Sequence, residues 1–77
     1  MGYIAYNETV DLWMKQFLEK HPFYTTKNID AEVEEVKGTI SNERLWANGA
    51  NDPAIHELNI ADLEEYIARL EEIKHNV

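Results

Sequence analysis

Few residues in this 77-residue chain have types and spacing that bear on chemistry. His56-Glu57 opens like the helix of a zinc protease, where two histidines four apart bind metal and the glutamate acts as base. The second ligand would stand at position 60, which is Ile60, so the motif fails and His56 is expected as a first-turn surface residue. Glu72 and His75 have the Glu-x-x-His spacing of di-iron helical bundles. Such a site needs two copies and further inward carboxylates, and the chain carries one copy near its end. The clusters Glu32/Glu34/Glu35 and Glu64/Glu65 raise the question of paired catalytic carboxylates, but acid–base work needs a carboxyl perturbed by burial. These glutamates are expected on polar, solvated helix faces. Ser41, the single serine, has no histidine nearby in sequence, and there is no cysteine. The glycines are isolated at Gly2, Gly38 and Gly49, so no glycine-rich phosphate loop exists. The expectation is a non-enzymatic protein with no metal, no cofactor and no small-molecule substrate.

Charge narrows the partners. Fifteen acidic residues against seven basic ones give a formal charge of −8 and a pI near 4.6. The bases Lys15, Lys20, Lys27, Lys37, Arg44, Arg69 and Lys74 are scattered. Binding to phosphate backbones or anionic membranes draws on several clustered cations, so direct nucleic-acid and membrane binding are not expected. The N-terminus Met1-Gly2-Tyr3-Ile4-Ala5-Tyr6 lacks the basic and apolar regions of a secretory signal, which makes a cytoplasmic protein the expectation.

These residues must be positioned by helices. From Asp52 to Ile73, Ile60, Leu63, Ile67 and Leu70 recur at spacings of three and four and line one helix face. Glu57, Glu64 and Glu71 stand seven apart on another side, with Glu65 and Glu72 beside them. Asp52 is the expected N-cap, with Pro53 at the first helical position. Upstream, Ile29, Val33, Val36, Ile40 and Ala47 form a narrow seam suited to an antiparallel helix pair. Thr26 or Asn28 is the expected cap, and Gly49 the left-handed stop. Gly38, inside that helix, implies a close neighbour or a bend. A first helix runs from a cap at Asn7 or Thr9 to Lys20, with Val10, Trp13, Met14, Phe17 and Leu18 inward and a Lys15–Glu19 pair outside. His21-Pro22 ends it.

The expected fold is therefore all-α, one domain over 1–77, with helices at about 8–20, 29–47 and 53–74. The second and third form an antiparallel hairpin and the first packs across it. Residues 1–6 are expected as an N-terminal arm, and Lys74 to Val77 are expected to fray.

A domain this small buries only roughly 60–65% of its extended-chain surface and often relies on staples or association. With no cysteine, association is what remains. Eight aromatic residues are a heavy load for three short helices, and tryptophan and tyrosine are over-represented among interface anchors. Leu45 and Trp46 fall off the seam on opposite flanks. The expected function is a protein–protein interaction module, with a protein partner or a second copy as a homodimer. The candidate interaction residues are Trp46, Leu45, Trp13, Phe23 and Tyr24. The alternative is an acidic inhibitor of phage or mobile-element type that mimics nucleic acid, using Glu57, Glu64, Glu65, Glu71 and Glu72, joined by Asp30 and Glu34.

Overall fold

In the computed structural model, which describes residues 8–49 and 51–76, the chain forms three helices: α1 (Glu8–Lys20), α2 (Thr26–Gly49) and α3 (Ala54–His75). The expected arm and Asn7 lie outside the described residues. Helices α2 and α3 pack as an antiparallel hairpin, and α1 lies against α3. Among the described residues no helix is long and apolar enough to cross a membrane.

Each helix boundary has a local cause. Helix α1 closes with the His21 N–H donating to the Phe17 carbonyl at 2.9 Å, immediately before Pro22 forbids continuation. Thr9 lies inside α1 rather than capping it. Helix α2 starts three residues before the expected position. The Asn28 N–H donates to Thr25 Oγ1 at 3.3 Å, and the Thr25 N–H donates to Asn28 Oδ1 at 3.0 Å. This is a reciprocal capping box with asparagine in the place of the usual Glu or Gln; Thr25, not Thr26 or Asn28, is the cap. Helix α3 starts at Ala54, one residue later than expected, with Pro53 rather than Asp52 as its N-cap; Pro53 has φ −75°, and the Asp52 carboxylate accepts from the Ala54 N–H at 3.1 Å. At its C-terminus α3 remains helical through Lys74 and His75 and is closed by Asn76, whose N–H bonds the Ile73 carbonyl. Of the residues expected to fray, Lys74 and His75 are helical, and Lys74 is tied to Asp30 at 2.6 Å. Val77 lies outside the described residues.

Two glycine expectations are also corrected, a left-handed Gly49 and a close neighbour at Gly38. Gly49 is the last residue of α2 and does not enter the left-handed region. A Cβ added at Gly38 meets nothing within 4 Å. It lies about 180° around the helix from the Ile29–Ile40 seam, facing water, so it marks no close approach.

The core consists of Val10, Phe17, Ile29, Val33, Val36, Ile40, Tyr66 and Leu70, with Trp13, Met14, Tyr24, Ile60, Leu63, Ile67 and Ile73 packed around it. Leu18, expected inward, is exposed. Helix α3 is the central element because it is covered on two sides. Its Ile60/Leu63/Ile67/Leu70 stripe meets α2. A second stripe, Tyr66/Arg69/Ile73, meets α1: the Trp13 and Tyr66 rings lie 5.6 Å apart, and Arg69 donates to Asp11 at 2.7 Å.

The fully buried residues of the hairpin all lie away from its loop. On α2 none lies beyond Ile40, and on α3 none before Tyr66. The shape reflects this, with principal extents of 42 × 34 × 19 Å and a radius of gyration of 13.8 Å. A compact chain of this length would have a radius of about 11–12 Å. Helix α1, about 20 Å long, cannot cover a hairpin whose α2 is about 36 Å long.

Candidate interaction surface

Among the described residues, the loop end of the hairpin gathers most of the exposed large apolar side chains. Leu45, Trp46, Ile55 and Leu58 are 68%, 59%, 63% and 68% exposed. They are exposed because α2 and α3 have turned past the reach of α1. On α3, Ile55 stands three turns above Tyr66 and Leu58 three turns above Arg69, the two residues that touch α1. On α2, Trp46 stands three turns beyond Glu35, which lines the cleft beside α1. Trp46, Ile55 and Leu58 therefore continue the bed on which α1 rests, past the part that α1 covers. Leu45 lies on the back of α2, about 160° from the seam.

Beneath this surface the seam is polar. Position 43 falls where the seam spacing places the next inward residue after Ile40, and the chain has Glu43 there. Its carboxylate meets His56 Nδ1 at 2.6 Å, with the two side chains 12% and 26% exposed. His56, expected as a first-turn surface residue, instead faces α2, and its ring lies 6.3 Å from that of Trp46. The spacing that revealed the seam pointed to position 43. The seam as read from the sequence passes from Ile40 to Ala47 over the glutamate there, which hides both partners.

The other expected interaction residues do not join this surface. Trp13 packs on Tyr66, and Tyr24 on Phe17 at 6.1 Å between ring centroids; both border the core. Phe23, 93% exposed, stands in the connector between α1 and α2.

The acidic residues are partly consumed inside the chain. Glu64 pairs with Arg44 at 3.5 Å, Glu65 with Arg69 at 3.2 Å, Asp30 with Lys74 at 2.6 Å and Glu34 with Lys37 at 3.7 Å. Glu57, Glu71 and Glu72 are exposed. Surface pairs of this kind contribute little stability, but those between α2 and α3 fix how the hairpin is aligned.

One further feature is the cleft between α1 and the hairpin, lined by Trp13, Lys20, Glu32, Glu35 and Tyr66 among others. The Tyr66 hydroxyl donates to Glu32 at 2.8 Å. Burial pushes the phenol's pKa well above its ordinary range, and the bond to Glu32 adds to this. The bond ties Tyr66 to α2 while its ring packs on Trp13 of α1. Among the described residues no three of His, Asp and Glu come together as metal ligands would. The chain matches no protein-family model, no curated protein and no solved structure.

Proposed function

We propose that this chain is a non-enzymatic protein-interaction module whose working surface is the loop end of the α2–α3 hairpin. The observation that carries the reading is the separation of core from apolar surface. The fully buried residues sit at one end of the hairpin, and four large apolar side chains stand more than half exposed at the other. Three of the four fall on one side of it. A contiguous exposed apolar patch on a small domain marks a place where another surface docks. Tryptophan beside aliphatic side chains is the composition of interface anchors.

The test is Trp46→Ala combined with Leu58→Ser. Both side chains are mostly in water, so the denaturation midpoint shifts little while association, with itself or with a foreign protein, is lost. Undiminished association would remove the patch from the interface. Loss of the helical fold would show instead that Trp46 and Leu58 belong to the core.

A further inference from the structure

The geometry points to a second copy of this chain as the occupant of the patch, joined through the loop ends of two hairpins about a twofold axis. This rests on the reading of the patch as an interaction surface and adds the identity of the partner.

The first argument is area. Trp46, Ile55 and Leu58 lie on one side of the hairpin and together expose on the order of 400 Å². Two copies apposed through these residues remove on the order of 800 Å² from water. The roughly 1,200 Å² at the low end of specific interfaces therefore requires the contact to take in the residues flanking the patch as well. A patch on one side of a two-helix layer can face its own image, as a twofold contact requires. The product is a four-helix arrangement in which each hairpin end covers the bed that the other copy's α1 leaves bare.

The second argument is charge. A chain of formal charge −8 repels its copy wherever carboxylates face carboxylates. Between Leu45 and His56 the single formally charged residue is Asp52, with histidine counted neutral. Leu58 lies just outside that stretch, with Asp62 one turn further along the same side of α3, so the patch lies at an end of low charge, where two copies meet with little repulsion. A basic foreign partner is drawn elsewhere, to the Glu57/Glu71/Glu72 surface of α3.

The experiment is light scattering on the full chain over a wide range of concentration and salt, beside Leu58→Glu, Leu58→Lys and their equimolar mixture. The expected result is a dimer that strengthens with salt, as like charges on the two copies are screened. Each single variant weakens it at least tenfold, and the mixture recovers most of that loss, because apposed patches bring the glutamate of one copy near the lysine of the other. Helical content is unchanged, since Leu58 is exposed. A wild-type chain that stays monomeric throughout overturns the second copy as partner and leaves the patch open to a foreign protein. A wild-type dimer equally stable in both variants places the self-contact elsewhere and overturns the second copy as the occupant of this patch. Variants that dissociate without recovery on mixing overturn the face-to-face arrangement.

Discussion

Replacing Gly38 by alanine makes this protein more stable. Gly38 lies in the middle of the 24-residue α2, its φ is outside the left-handed region, and an added methyl meets nothing within 4 Å. Glycine in such a position costs about 0.5–1 kcal/mol relative to alanine, mainly through the freedom it gives the unfolded chain. For a domain of this size that corresponds to a rise in Tm of about 2–8 °C. Gly49→Ala supplies the contrast. If Gly49 were a left-handed stop, alanine there would destabilise by about 1–2 kcal/mol; with its φ outside that region, the substitution is neutral or mildly stabilising. The two sites are 11 residues apart and share no contacts, so the double variant equals the sum within about 0.5 kcal/mol. The assay is urea denaturation followed by far-ultraviolet circular dichroism at one fixed protein concentration, because association moves the midpoint by mass action. A Gly38→Ala chain no more stable than the wild type would refute the reasoning, since it would mean that the back of α2 is bent or covered.

Two further substitutions probe the polar contacts inside the packing. Tyr66 has a pKa raised by burial and by Glu32, so its contribution is complete below about pH 10 and declines above it by about 1.4 kcal/mol per pH unit, as the unfolded chain ionises first; urea titrations across alkaline pH show this slope in the wild type and a flatter one in Tyr66→Phe. His56→Leu costs about 1–3 kcal/mol, because it strands the largely buried Glu43 carboxylate, whereas Glu43→Leu extends the Ile40–Ala47 seam and costs less. The reverse order in denaturation would show that the two side chains do not depend on each other.

The parts of the fold that were legible in the sequence are those where one apolar periodicity stands alone. Ile29, Val33, Val36 and Ile40 on α2, and Ile60, Leu63, Ile67 and Leu70 on α3, meet as their spacing requires. What escaped notice carries a polar residue at a buried position. Tyr66, Arg69 and Ile73 also recur at three and four, but an arginine in the middle made this second face of α3 look solvated. Its guanidinium is instead held between Asp11 and Glu65. Glu43 interrupted the α2 seam in the same way and took His56 with it. The α2 cap was placed late because Asn28 reads as a cap in its own right, and the reciprocal bond to Thr25 shows only in three dimensions. For the candidate surface, the off-seam positions of Leu45 and Trp46 were visible. Ile55 and Leu58 were not singled out, because their exposure depends on where α1 stops.

The same asymmetry determines where the molecule opens first. Local opening needs the least free energy where few apolar side chains are buried. In the loop end of the hairpin the inward positions are Glu43, Ala47, His56 and Ile60, none fully buried. A close carboxylate–imidazole contact aligns the helices there but loses hydration on both partners, so it adds less net stability than an apolar pair would. Hydrogen exchange should therefore find the amides of residues 43–49 and 56–62 exchanging faster than those of 29–40 and 66–73. If two copies cover the patch, protection at the loop end rises with protein concentration while the core amides scarcely change, because only the loop-end opening requires the dimer to part. Uniform protection along both helices at low concentration would show that the loop end is held as firmly as the core, and would remove the physical reason for it to seek a partner.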